Sequence, residues 1–454
     1  MTAIVQIAPS SALERWDVKH FLRPHWQRSG DEVVPLGLVA SRREEVNRGD
    51  LRIGSIHFDG QITLRPEATQ LKGTTYVAHP DDLVFSRIDI RNGAIGVVPH
   101  GFGKIAFTNE FPIYSVVEQC DLLPDFVRLI LRTRIFRAQV EALVVGHSGR
   151  KRVSAEMFEQ IPIPVPPLGE QESIVLNYRE RLLESDQLLS ESRRVRDEAI
   201  SRISETLGLS FPDVPPIEGP FAVEYGRLQQ WSAAGSMAIA HGIHPELESR
   251  FPVRLLGEEP LSAVSYGLQV SPLSRPGANA RPYLRVANVQ DGYLDLNKIK
   301  RIEVPPELFP QYRLEDGDIL LCEGNSAELV GRPAIWRNEI EDCVHQNHIL
   351  RVRLNNQELL PGYALAYMQT RPSRIHFRGR AKKTTNLATI NSRDVRELEI
   401  PVPPLDIQRE LAELWESASA DAIKIKYEAD QRLEVADEEA ETAIAIGRSR
   451  YSVG

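Results

Sequence analysis

The sequence predicts an α+β chain built from two copies of one unit, each a globular domain followed by a long helix. Three observations carry that prediction. The hexapeptide IPVPPL occurs at residues 163–168 and again at 400–405, 237 positions apart. Further segments repeat in the same order at nearly the same offset. Each proline motif also runs into a long polar stretch with apolar residues at helical spacing, GEQESIVLNYRERLLESDQLL after the first and DIQRELAELWESASADAIKIK after the second.

The bulk properties agree. At 454 residues the chain exceeds what one hydrophobic core usually serves, so two or more domains are expected. With 42% apolar and 26% charged residues it has an ordinary globular composition. No run of about 18 apolar residues appears, so no membrane span is expected. The start, MTAIVQIAPSSALERWD, lacks a basic segment followed by an apolar one, which argues against a secretory signal. Three scattered cysteines, Cys120, Cys322 and Cys343, fit a reducing cytoplasm better than a disulfide framework. A net charge of −9, taken globally, argues against a nucleic-acid binder.

In chain order, LRIGSIHFDGQITL (51–64) matches LRVANVQDGYLDL (284–296), both read as alternating strands around an Asp-Gly turn. DDLVFSR (81–87) lies over GDILLCEG (317–324) and aligns Asp82 with Asp318. LLPDFVRLILRT (122–133) lies over LLPGYALAYMQT (359–370), a helix in each copy, near 124–145 and 361–370. VSAEMFEQIPIPVPP (153–167) lies over INSRDVRELEIPVPP (390–404) and closes each domain with a short strand. Pro164, Pro166 and Pro167 cannot donate ladder hydrogen bonds and bias the residues before them toward extended geometry. A helix therefore starts only after them, at about Glu170 in one copy and Gln408 in the other, with acids suited to its positive end. The first helix runs to Leu207, where Gly208 suits the left-handed C′ position and Pro212 forbids continuation; the second runs to Ile446 before Gly447. Val175, Tyr178, Leu182, Leu189 and Ile203 form an apolar seam on the first, and Leu411, Leu414, Ala418 and Ile425 on the second. A long helix with one such seam needs a partner, and its own duplicate is the nearest. The expected boundaries are 1–167 for the first domain, 168–208 for its helix, 209–250 for a proline- and glycine-rich linker, 251–404 for the second domain and 405–447 for its helix.

The charge is unevenly placed. The second helix holds twelve acids against four bases, a net −8 that almost equals the charge of the whole chain. The globular units show the opposite local pattern. Arg128, Arg132, Arg134, Arg137, Arg150, Lys151 and Arg152 stand against Glu141 in one copy. In the other, Arg371, Arg374, Arg378, Arg380, Lys382, Lys383, Arg393 and Arg396 stand against Asp394. A basic cluster in the same place of both copies points to phosphate binding, and HSGRKR and RGRAKKTTN have the composition of loops that enter a groove.

Catalytic motifs are missing. There is no GxxxxGK[ST] and no [DN]PP[YF], and HGFGK (100–104) is a glycine turn without a following helix. HPDD (79–82) has no ExK on a neighbouring strand, although Asp81, Asp82 and Asp89 keep a metal-dependent nuclease as an alternative. Cys343, His345 and His348 have no common zinc spacing and no counterpart in the first copy, so no metal site is assigned.

The doubled IPVPPL followed by GEQESI or DIQREL, with LRVANVQDG and GDILLCEGN upstream, resembles the specificity subunit of Type I restriction–modification systems over roughly residues 15–446. The resemblance implies two target-recognition domains, each grasping one half of a split site on double-stranded DNA. They would be separated by the two long helices, packed as an antiparallel coiled coil. It also implies docking of methyltransferase subunits, two of them by expectation, that carry S-adenosylmethionine, and of restriction subunits that carry ATP and Mg. This chain itself would hold no cofactor and catalyse nothing. Helices of about 36 to 40 residues would span roughly 55–60 Å, so the half-sites would lie more than one turn of DNA apart. The residues expected to meet DNA are Arg87, Arg91, Lys104, Arg150, Lys151 and Arg152 in the first domain and Arg378, Arg380, Lys382, Lys383 and Asn386 in the second. Gln171 and Gln408, the matched residues at the helix starts, are expected to contact partner subunits. The alternatives are a targeting or inhibitory DNA-binding protein of another defence system on the same scaffold, or the nuclease.

Overall fold

A computed structural model describes residues 25–28, 32–65, 73–117, 120–143, 152–210, 247–270, 275–326, 328–383 and 387–447. The chain forms two compact units. One comprises Met1–Gln187 with Glu428–Gly454, the other Leu188–Tyr427.

The first unit centres on a four-stranded antiparallel sheet, in the order Ala40–Arg43, Ile113–Val116, Leu83–Phe85, Ile95–Val97. The second repeats it as Ser262–Tyr266, Ile349–Leu354, Ile319–Cys322, Pro333–Ile335. The central strands Leu83–Phe85 and Ile319–Cys322 are buried along their whole length, as continuous apolar runs should be. The proline motif makes the same contact in both units. Pro162–Pro164 pairs antiparallel with Val33–Pro35, and Glu399–Pro401 with Val253–Leu255. Both pairs are isolated two-stranded ribbons, where a proline removes no interior ladder bond.

Two expectations about local structure are corrected. The segment near 124–145 is two helices, Pro124–Arg132 and Arg134–Leu143. Thr133 breaks them: its backbone is extended, its hydroxyl donates to the Ile130 carbonyl at 2.7 Å, and it accepts from the Phe136 amide at 3.2 Å. Thr370, also extended and with its hydroxyl donating to the Tyr367 carbonyl at 2.7 Å, stands between Pro361–Met368 and Arg371–Arg380, so Arg378 and Arg380 sit on a helix rather than in a loop. The two Asp-Gly hairpins also differ. The first is a strand pair, Gly54–Ile56 with Ile62–Leu64. After strand Ala280–Leu284 the second turns into a 3-10 segment, Val286–Asn288. There the Asn288 side chain accepts from the Arg285 amide at 2.9 Å and donates to the Asp295 carbonyl at 2.8 Å, offering the backbone local partners in place of a ladder.

The long helices run over Leu168–Leu207 and Leu405–Ile446. Gly208 has φ +62°, the Leu209 amide reaches the Ser204 carbonyl and the Gly208 amide reaches Glu205, the two bonds of a Schellman cap. Gly447, φ +82°, closes the second helix with one bond to the Ala443 carbonyl. Each unit takes part of both helices and pairs them antiparallel. In the first, Tyr178 donates to Asp437 at 2.8 Å and Ser185 to the Ala429 carbonyl at 3.0 Å. In the second, Ser192 donates to the Ala422 carbonyl at 2.7 Å, and Ala199 and Ile203 share a core with Leu411 and Trp415. The contact line is Tyr178, Ser185, Ser192, Ala199 against Trp415, Ala422, Ala429, Ala436, at seven-residue spacing on both helices. Leu182 and Leu189, expected in the seam, are only half-buried beside it, and Leu176 and Leu183 face outward, about three-fifths exposed.

Candidate nucleic-acid interface

The frame that holds the candidate surfaces is the same in both units. Asp82 is buried and takes a two-pronged grip from Arg43, Nε at 2.7 Å and Nη2 at 3.1 Å, plus the His79 amide at 2.7 Å. Asp318 is held alike by Arg353, both bonds at 2.8 Å, and by the Glu315 amide at 2.8 Å. The arginine comes from the strand Ala40–Arg43 in one unit and from Ile349–Leu354 in the other, so the grip survives although its donor has changed strand. Burial raises the Asp82 carboxyl above its usual range despite Arg43. Asp82 is thus committed to holding its turn, and it has no accessible carboxylate for the nuclease alternative. Asp81 pairs with His100 at 2.7 Å, and Asp89 accepts from Asn92 at 3.2 Å. Among the described residues no three metal-binding side chains come together. In the CxHxxH run, His345 is buried with Nδ1 3.2 Å from the Tyr312 carbonyl, and burial drives its pKa down to about 3. His348 pairs instead with Glu323 at 2.6 Å.

Gln171 and Gln408 have a different task from the partner contact expected of them. Both are 0% exposed. Gln171 accepts from the Leu123 amide at 3.0 Å and donates to the Asp121 and Pro166 carbonyls, both at 2.7 Å. Gln408 accepts from Leu360 at 2.8 Å and donates to Glu358 at 2.9 Å and Pro403 at 2.8 Å. Every partner is displaced by 237 positions. Each amide therefore ties a long helix to the prolines before it and to the loop opening the helix Pro124–Arg132 or Pro361–Met368, out of reach of another protein.

The expected DNA-facing cations separate into exposed and engaged groups. Arg91 is exposed; Lys104 is half-exposed and 3.9 Å from Glu45; Arg152 is half-exposed and 3.4 Å from Glu110. Arg87 is half-buried, and its Nε lacks a hydrogen-bond partner among the described residues. In the second unit Arg378 and Lys382 are exposed, whereas Arg380 is held by Glu397 and serves the packing of its helix on Ser392–Arg396. Arg150, Lys151 and Asn386 lie outside the described residues, as does the side chain of Lys383. Other members of the basic clusters are also engaged: Arg128 with Asp125, Arg134 with Glu438 and Glu441, Arg374 with Asp291, and Arg393 with Glu397. Of the exposed cations, Arg152 adjoins Val153, and Lys382 lies in the strand paired with Ala388–Thr389.

A position the sequence reading did not single out is Glu323. Its amide donates to the His348 carbonyl at 3.0 Å and its carbonyl accepts from Ile390 at 2.9 Å. Arg87 makes the matching bonds to Glu110 and Val153, at 3.1 and 3.0 Å. The aligned DDLVFSR and GDILLCEG place these two residues on top of each other, which was the available signal.

No family model matches the chain. Among curated proteins it is 31% identical over 134 residues to a protein assigned as the MjaX specificity subunit of a type I restriction enzyme in Methanocaldococcus jannaschii, covering 29% of this chain and 32% of that one. It is also 23% identical over 358 residues to the EcoKI specificity subunit of Escherichia coli K12. That match takes in 78% of this chain and 71% of the other, and so spans both copies of the repeat. The chain is thus similar to type I specificity subunits along both copies of its repeat. A crystal structure of the HsdS subunit from Thermoanaerobacter tengcongensis aligns over 92% of this chain and 97% of that one at 15% identity and a TM-score of 0.35. The chain has an α+β fold with two units and two long helices, and no helix among its described residues is long and apolar enough to cross a membrane.

Proposed function

We propose that the chain is the non-catalytic DNA-reading subunit of a type I restriction–modification complex in the cytoplasm. Residues 1–167 and 251–404 form one recognition domain each, every domain grasping one half of a split double-stranded site. The observation that carries this reading is the twofold repetition of one buried frame under diverged surface residues. The gripped aspartates, the glutamine ties and the proline strands recur at offsets of 236 or 237, while the exposed residues around them differ. Two readers with one skeleton and different faces suit two unlike half-sites. Arg87, Arg91, Lys104, Arg150, Lys151 and Arg152 face the duplex in one domain, and Arg378, Lys382, Lys383 and Asn386 in the other. The outward leucines Leu176 and Leu183 on the first long helix are surface that another protein would cover, in keeping with docking of methyltransferase and restriction subunits along the helices. S-adenosylmethionine, ATP and Mg belong to those subunits.

The test is direct. Lys382→Glu with Lys383→Glu reverses two charges at one edge, and binding to a site-bearing duplex at modest salt should be lost in a gel shift. Unchanged affinity rejects the assignment of these lysines. Purification from native lysate without any methyltransferase would favour the alternative of a DNA-targeting protein from another defence system.

A further inference from the structure

Charge is reversed at one corner of the repeated frame. Arg87 and Glu323 each follow the central sheet strand of their unit, and each is fixed by the same two main-chain bonds, one to the neighbouring hairpin and one to the segment entering the domain's last short helix. Around them the matched residues also change charge. Glu110 is replaced by His348, Arg152 by Thr389 and Glu156 by Arg393, at offsets of 237 or 238. Ordinary drift on a solvated face would not keep these positions in register while exchanging cation and anion at two of them, Arg87 for Glu323 and Glu156 for Arg393.

The corner also lies at the root of the exposed basic segments. Glu323 immediately precedes Gly324–Asn325, which joins Ala388–Thr389 and Lys382–Lys383 in one small sheet. Arg87 is bonded to Val153, next to Arg152. Lysines and arginines that meet phosphates at the rim would place whatever stands at this corner toward the interior of a groove. Neither side chain is fully spent. Glu323 is about a quarter exposed, and only its Oε2 is taken, by His348 at 2.6 Å. The Arg87 guanidinium makes no ion pair among the described residues, and its Nε has no hydrogen-bond partner there.

We propose that Arg87 and Glu323 are the base-reading residues of their respective domains, Arg87 recognising the acceptor edge of a guanine and Glu323 the exocyclic amino group of a base in the other half-site. A guanidinium offers paired donors matched to guanine O6 and N7, and a carboxylate offers only acceptors, which suits an amino group such as cytosine N4. One skeleton then reads two unlike half-sites by inverting hydrogen-bond polarity at one position. This inference rests on the DNA-reading function proposed above.

The experiment is enrichment of randomised duplexes by the full chain, purified as the complex it forms in cells, followed by sequencing. The wild-type protein should return a two-part motif. Glu323→Gln should lower the preference at one base pair of one part by about tenfold and leave the other part intact. Arg87→Gln should do the reverse. The untouched part reports, in the same molecule, that the variant is folded. A motif unchanged in both variants, or both variants altering the same part, overturns the proposal while leaving DNA reading in place. No motif from the wild-type complex overturns both.

Discussion

Gln408→Met tests whether the buried glutamines are internal ties. Methionine has nearly the volume of glutamine but no amide, so the substitution leaves packing intact and removes three hydrogen bonds. The Leu360 amide and the Glu358 and Pro403 carbonyls then lose the partner they have in a site that is 0% exposed. Stranding a buried main-chain group costs on the order of 1–3 kcal/mol, and partial relaxation of the loop lowers the sum, so about 3–5 kcal/mol is expected. That is a large share of the roughly 5–15 kcal/mol that holds a domain together. With a denaturant slope of about 2–3 kcal/mol per molar, the urea midpoint of the second unit should fall by about 1–2 M. Trp336 and Trp415, both 1% exposed in that unit, give the fluorescence signal. Gln171→Met should act equally on the first unit, with Trp26 as reporter. A shift below about 1 kcal/mol with native emission would show that the prolines and the loop hold without the amide, and the tie would have to be abandoned.

Two further expectations concern stability. Ser192→Leu puts a branched side chain where Ser192 approaches the Ala422 backbone at 2.7 Å; overpacking of this kind costs about 1–3 kcal/mol, whereas Ser192→Ala costs only the bond, about 1 kcal/mol, and thermal melting should rank them in that order. Equal melting temperatures would mean that the helices do not meet there. The second dependence is on pH. His376 is half-buried with Nε2 2.7 Å from the Asp394 carbonyl, and desolvation lowers its pKa to about 4. Its folded pKa lies below the unfolded value of about 6.5, so the unfolded chain binds the extra proton. Stability is therefore full above about pH 6.5 and declines as the pH falls through 4, by on the order of 3 kcal/mol from this residue. Urea midpoints between pH 7 and pH 4 should show the decline, and His376→Gln should reduce it; an unchanged slope would remove His376 from the account.

Chain breakers and repetition were legible from the residues alone. Pro167 before one long helix and Gly208 after it act through the backbone of their immediate neighbours, so their effect needs no tertiary knowledge. The duplicated α+β plan was legible for the same reason, since a repeat is visible without knowing what its parts touch. The helix seam was not. Ser185, Ser192, Ala422 and Ala429 carry little hydropathy and matter because small side chains let two backbones approach, while the more apolar Leu176 and Leu183 point outward. A seven-residue recurrence of Ser and Ala was the signal available. Gln171 was misread because its partners are local in space but 48 and 50 positions away in sequence. In the candidate interface, charge was legible but availability was not. Nothing near Arg380 in sequence separates it from Arg378, yet a glutamate 17 positions on occupies the one and not the other.

The clasp formed by Arg28 sets an order of events during synthesis. Its buried guanidinium holds Glu170 at 2.7 Å and the carbonyls of Ala443 and Ile444 at 2.6 and 2.5 Å, and the neighbouring Gln27 amide reaches Ala445. The first unit is thus completed by residues that leave the ribosome some four hundred positions after it begins, whereas the second, Leu188–Tyr427, is continuous in the chain. The segment translated first therefore finishes folding last, with the apolar faces of residues 33–187 waiting for their closing helix. A chain released after residue 427 would hold a complete second unit and a first that cannot close, which makes the last helix turns a checkpoint on the first unit.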